Sequence, residues 1–245
     1  MNIALIGHGN MGKEVERAAA ARNITVKKIF NIENNLRGIG ITPTILDNVD
    51  VCIDFSVPSA VVNNISIIAA CGKNIVVGTT GWYDKLEEVK KIVHEKKIGL
   101  LYSPNFSLGM NIFYQIVASA VTSMDKFDMY DIAIQEIHHR KKADSPSGTA
   151  LTLSQIILQH TRRKKEIFHE PAHHEIKPEQ LHVTSTRVGN VAGTHTVIFD
   201  SEADSVELTH TAKNRSGFAL GALIAAEWLK GKKGLYTMKD VFTSI

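Results

Sequence analysis

Apolar residues in the first hundred positions fall into short blocks separated by longer amphipathic stretches. Residues 2–6 (NIALI), 25–30, 51–55, 74–77 and 98–102 have the length and apolar density of buried strands. Between them, helical spacing runs from the glycines at 7–12 to about 22, from Pro58 to Ala70 behind Ser56, and over 84–96. Such alternation predicts a parallel sheet covered on both faces. The rhythm changes after Ser103-Pro104-Asn105-Phe106. A helix is predicted over 110–123, an alternating strand over 129–137 and a helix over 148–160. Three closely spaced strands follow at 181–188, 194–200 and 206–211, whose polar alternation suits a mixed or antiparallel sheet. Residues 162–180 read as a polar, histidine-rich mobile loop, and 218–229 as a last amphipathic helix before a tail at 234–242.

The expected fold is therefore α/β, with a Rossmann-type parallel-sheet domain followed by an α+β domain carrying a mixed sheet. Residues 1–107 and 216–245 are assigned to the first domain, with the last helix returning to it, and 108–215 to a substrate-binding and oligomerisation domain. At 245 residues the chain has room for both cores. A content of 44% hydrophobic and 22% charged residues is that of a globular protein. The net charge of +3 suits an acidic metabolite and falls short of a nucleic-acid footprint. Cys52 and Cys71 lie in apolar stretches without metal-like spacing and are expected to be buried thiols of a reducing compartment. With no leader-like segment and no membrane-length apolar run, a cytoplasmic location is expected, without membrane or nucleic-acid partners.

Gly7, Gly9 and Gly12 form a G-x-G-x-x-G turn between a strand and a helix, the context in which this common triplet gains meaning. A pyrophosphate is expected there, with His8, Asn10 and Met11 beside it. After the second strand, where an acidic residue usually holds the adenosine ribose, stands Asn31, with Glu33 and Arg37 beyond. Asn31 brings no carboxylate to repel a 2′-phosphate, so NADH and NADPH both remain open and dual use is expected. Gly78, Thr79, Thr80, Ser103, Pro104, Asn105 and Phe106 follow the fourth and fifth strands and are expected to face the cofactor. Helix caps and turns would explain the same residues without a ligand.

The densest chemistry lies in 136–150 (EIHHRKKADSPSGTA), which packs two histidines, three consecutive cations, an aspartate and a Pro-Ser-Gly-Thr turn ahead of a helix. A proton donor and positive charge next to free helix N–H groups suit acid chemistry on a carboxylate substrate. A solvated basic turn is the bland alternative.

The order Glu136, His138-His139, Lys142, Asp144, Pro146-Ser147-Gly148-Thr149 resembles the signature of the 4-hydroxy-tetrahydrodipicolinate (dihydrodipicolinate) reductase family. Ser145 stands where alanine is usual, and Asn31 where many members carry an acid. The resemblance extends to Gly7–Gly12, to the loops at 78–81 and 105–107, and to 186–195 and 208–215. It implies reduction of a cyclic imine dicarboxylate on the diaminopimelate route to lysine. Water leaves C4, hydride arrives at C4 and a proton at C3. His138 matches the proton donor and Lys142 the second catalytic residue. His139, Gly148 and Thr149 match substrate contacts, while Asp144 orders the loop. A homotetramer joined through the second domain's sheet is also implied.

Three other readings make distinct predictions. Another two-domain reductase of an amino-acid-derived carboxylate would ignore this substrate. A nucleotide-sensing protein would tolerate His138→Ala or Lys142→Ala. A metal hydrolase built on His169, His173 and His174 would be inhibited by chelators, but that loop lacks a convincing ligand set and no metal is expected.

Overall fold

The computed structural model describes residues 1–243, which form two compact units: 1–108 with 215–243, and 109–214.

The first unit is a six-stranded sheet with all-parallel pairing, in the order β11-β5-β4-β3-β1-β2. Its strands are β1 (Asn2–Ile6), β2 (Thr25–Phe30), β3 (Val51–Asp54), β4 (Asn74–Val77), β5 (Gly99–Tyr102) and β11 (Gly234–Thr237). The interior strands are buried on both faces, hence their continuous apolar runs. Helices α1 (Asn10–Ala21) and α6 (Ser216–Leu229) share one core with Ile3, Leu5 and Ile53. Helices α2 (Pro58–Ala70) and α3 (Leu86–Lys96) share the other with Ile6, Cys52 and Ile75. Helix α6 is buried nearly all round, and at Gly221 a Cβ would stand 1.7 Å from the Phe106 carbonyl oxygen. The 234–242 tail turns out to be β11, parallel to β5, followed by α7 (Met238–Thr243). Four residues were too few to show a strand period. Cys52 is buried as expected, whereas Cys71, at the end of α2, is only half-buried; both are free.

The second unit is a five-stranded mixed sheet, β10-β9-β6-β8-β7. At its centre β6 (Asp131–His138) pairs antiparallel with β9 (Thr194–Asp200) and parallel with β8 (Gln180–Arg187). The edges are β10 (Ser205–Thr211) and β7 (Glu166–Phe168). Helices α4 (Leu108–Met124) and α5 (Gly148–His160) supply Phe113, Val117, Leu153 and Ile157 to the core on one face. On the other face Gln135 and Thr184 are exposed, and Ala133, Ile137 and Ile198 half-buried. The loop expected over 162–180 is partly ordered: β7 pairs with β8, and buried Lys164 donates to the Gln180 carbonyl at 2.8 Å while contacting Asp131. The polar composition concealed a strand of three residues. No helix among the described residues is long and apolar enough to cross a membrane.

Candidate active site

Strand periodicity builds the chemistry of the second unit. Alternate residues share a face, so cross-strand register stacks the helix-covered face in rows. Ile132, Phe199 and Val206 make one row, and Val183, Ile134, Val197 and Leu208 the next. Two residues further the row is Ser185–Glu136–His195–His210, and beyond it Arg187 lies opposite His138. The core face thus turns from apolar to ionisable at the end of β6. Each buried apolar side chain beneath contributes about 1.5–3 kcal/mol, so the polar rows stand on a firmly packed base.

Glu136 is fully buried. Its Oε1 accepts from the Ser147 N–H at 3.0 Å, the Ser185 hydroxyl at 2.8 Å and Arg187 Nη2 at 2.9 Å. Oε2 lies 3.4 Å from His138 Nδ1 and 3.5 Å from His195 Nε2. Burial alone would raise the carboxyl's pKa, but interactions with His195, Ser147, Arg187 and Ser185 outweigh it and hold the group well below the usual carboxylate range. His138, also buried, is pushed down to about 4. Desolvation is the largest cause, opposed by Glu136 and reinforced by the positive fields of His195, Lys142 and Arg187. The two imidazole rings meet edge to face at 5.1 Å. A further neighbour is Gly193, whose φ of +154° favours glycine and where a Cβ would stand 2.9 Å from His138 Nε2.

After β6 a turn closed by the Lys142 N–H donating to the His139 carbonyl at 3.1 Å brings the Lys142 ammonium onto Asp144, at 2.8 and 2.9 Å from its two oxygens. Arg187 also donates to the Asp144 carbonyl at 2.6 Å, stapling this loop to β8. The Ser145–Pro146 peptide is cis. Ser147 caps α5, accepting from the Ala150 N–H at 3.2 Å, and its hydroxyl lies 3.2 Å from His195 Nε2. Gly148, with nothing within 4 Å of its would-be Cβ, and half-exposed Thr149 form the first turn. His138, His139, Lys142, Gly148 and Thr149 therefore lie on one strand end, loop and helix start. Sequence reasoning passed over Arg187 and His195 as site residues, and Glu136 entered only as part of a motif. Their signal was register: each pairs across the sheet with the 136–138 segment. Glu136, His138 and His195 are also the one metal-capable group among the described residues.

In the first unit Gly7, at φ +90°, makes the turn out of β1; a Cβ there would meet the Phe55 carbonyl oxygen at 2.3 Å. Gly12 packs with its would-be Cβ 2.2 Å from the Gly7 carbonyl oxygen, whereas at Gly9 nothing lies within 4 Å. No side chain caps the start of α1. Its N–H groups are thus available to a phosphate, and the open Gly9 lets the anion approach; the turn fits a dinucleotide. Gly7, His8, Gly9, Asn31 and Arg37 line a cleft of about 760 Å³. His8 Nε2 is 2.8 Å from Glu16, and Met11 packs against the core; Asn10 is exposed. The Asn31 Oδ1 accepts from the N–H groups of Glu33 and Asn34, so its side-chain oxygen is spent on its own turn. No carboxylate lines the cleft, and Glu33 is not among its lining residues.

The remaining expected cofactor residues do not line this cleft. A Cβ at Gly78 would meet the Phe55 ring at 2.0 Å. Thr79 is buried, its hydroxyl donating to Asp54 at 2.8 Å, while Thr80 is exposed. The Ser103 hydroxyl donates to the Asn105 carbonyl at 2.8 Å, and Asn105 Oδ1 accepts from the Ser107 N–H. Pro104 is exposed and Phe106 is core, edge-on to Phe55 at 6.1 Å. These loops follow the carboxyl ends of β4 and β5 in the same sheet.

A parallel-sheet unit with a glycine turn, joined to a unit with a buried acid–imidazole row, defines a dinucleotide-dependent oxidoreductase. Residues 1–106 match the family model described as dihydrodipicolinate reductase, N-terminus, and residues 109–242 the one described as its C-terminus. The chain belongs to the dihydrodipicolinate reductase family. It is 40% identical, over all of its length and 99% of the relative's, to 4-hydroxy-tetrahydrodipicolinate reductase of Christiangramia forsetii. It is 38% identical to the protein of that name from Archaeoglobus fulgidus, covering 98% of this chain and 99% of the other. Among solved structures, dipicolinate-bound dihydrodipicolinate reductase from Paenisporosarcina sp. TG-14 shares the fold, with a TM-score of 0.76, 22% identity and 97% coverage of both chains.

Proposed function

We propose that this protein reduces 4-hydroxy-tetrahydrodipicolinate to tetrahydrodipicolinate with NADH or NADPH, in the cytoplasm, on the diaminopimelate route to lysine. The observation that carries the reading is His138, buried beside Glu136 and followed by Lys142 in the loop that leads to α5, in a chain of this family. The substrate is a dianion. One carboxylate takes the Lys142 ammonium from Asp144, and the other meets the N–H groups of Gly148 and Thr149 and the Thr149 hydroxyl, with His139 alongside. In the free protein His138 is neutral at pH 7, since its pKa is held near 4. The arriving negative charge raises it, so the imidazole takes up a proton as substrate binds. Water leaves C4, and a dihydronicotinamide dinucleotide held at the Gly7–Gly12 turn would supply the hydride which that carbon takes up. His138 then protonates C3, and Lys142 holds the dianion through the step.

A cleft without a carboxylate, with Arg37 in its lining to meet a 2′-phosphate, supports the use of both cofactors. The exposed, uncharged residues Gln135 and Thr184, with half-buried Ile137 and Ile198, form the sheet face on which we place a homotetramer contact. The test is oxidation of NADH and NADPH in the presence of freshly generated dihydrodipicolinate synthase product. Turnover with at least one is expected, and none with either would overturn the assignment.

A further inference from the structure

Glu136 is fully buried and accepts three hydrogen bonds, yet it meets substrate in none of the steps above. Its two oxygens are used unequally. Oε1 holds three donors from β8 and the α5 cap. Oε2 is buried with no formed hydrogen bond; only the two imidazole nitrogens approach it. An ionised carboxylate can only accept, and the three donors on Oε1 keep this one ionised. Whichever imidazole nitrogen faces Oε2 is therefore favoured as N–H.

We propose that Glu136 is the positioning residue for His138: its Oε2 fixes Nδ1 as the protonated nitrogen and leaves Nε2 to carry the exchangeable proton. The inference rests on the reductase reading. Nε2 abuts Gly193, where only a hydrogen leaves room: a Cβ would come within 2.9 Å. When the imidazolium gives its Nε2 proton to carbon, the ring returns to the neutral Nδ1–H form, still directed at Oε2. The groups facing His138 are Glu136 on β6, His195 on β9, Arg187 on β8 and Lys142 on the loop. Of these, only Glu136 favours the charged imidazole. His195 Nε2 lies 3.5 Å from the same Oε2, so the two imidazoles share this one oxygen, with their rings 5.1 Å apart.

The experiment has two arms. In the first, kcat is followed against pH for wild type and Glu136→Gln. Activity that needs protonated His138 falls as pH rises. Loss of the carboxylate should move that falling limb at least about one pH unit lower and cut kcat at pH 7.5 about tenfold or more. Substrate KM and cofactor Kd should stay within about threefold. An unchanged limb with unchanged kcat overturns the proposal. In the second arm, ¹⁵N NMR of the imidazoles of the wild-type protein, assigned with His138→Gln, reads the tautomer directly. Nδ1–H is expected, and an Nε2–H tautomer overturns the proposal even if Glu136→Gln fails to fold. If the wild type oxidises neither cofactor, the reductase reading fails, while the tautomer is still decided by the spectrum.

Discussion

Gly193→Ala isolates one contact of the site. Its φ of +154° is rarely adopted by L residues, and the new methyl would sit 2.9 Å from His138 Nε2 and 3.3 Å from its Cδ2. Backbone strain of this kind costs about 1–3 kcal/mol. In a protein of this size that corresponds to roughly 2–12 °C in Tm. The methyl must also push the imidazole aside, and a displacement near 1 Å at a reacting group costs about a hundredfold in rate. Gly189→Ala serves as the control. Gly189 lies in the same loop with a positive φ of +51°, but nothing lies within 4 Å of its would-be Cβ. It should lose about 1 kcal/mol of stability with kcat unchanged. The assays are a thermal melt and steady-state oxidation of NADPH for both variants. If Gly193→Ala loses stability while keeping kcat, the packing of His138 against Gly193 has no part in catalysis and the reasoning fails.

Further expectations follow from the same geometry. Lys142→Ala should raise substrate KM and lower kcat, together at least about a hundredfold in kcat/KM, while cofactor Kd by fluorescence titration stays put; a change confined to cofactor binding would contradict the assignment. Arg37→Ala should weaken NADPH about tenfold and leave NADH unaffected, and equal effects on both would remove Arg37 from the 2′-phosphate. The folded pKa of His138, about 4, lies below its ordinary 6.5, so within that window the unfolded chain binds a proton that the folded chain does not. Stability should therefore fall as pH drops from 6.5 towards 4, by on the order of 1–3 kcal/mol. Glu136, depressed from 4.5, adds a further loss below that value. Urea midpoints at pH 7 and pH 5 check this, and His138→Gln should show the smaller difference.

Much of this was legible in the chain because period and punctuation agree. The runs at Val51–Asp54 and Asn74–Val77 are uniformly apolar because both faces of a parallel sheet are covered. The glycine turn was legible because Gly7 and Gly12 are needed for backbone contacts that leave no room for a Cβ. What escaped is tertiary. Strands Glu166–Phe168 and Gly234–Thr237 are edge strands whose pairing, rather than their own pattern, defines them. His195 and Arg187 stand 59 and 51 residues from Glu136 in sequence and join it through the register of β9 and β8. The Thr79 hydroxyl donates to Asp54 and Asn105 Oδ1 accepts from the Ser107 N–H, contacts that the linear pattern does not show. Polar residues at strand ends serve turns as readily as ligands.

The central claim is that His138, held by the buried row on β6, is the proton donor of a dihydrodipicolinate-reducing enzyme. Its most direct test is single-turnover oxidation of bound NADPH by wild type and His138→Gln with enzymatically generated substrate. The account predicts a loss of at least about a hundredfold in the variant with NADPH affinity unchanged. Full-rate turnover by His138→Gln would contradict it.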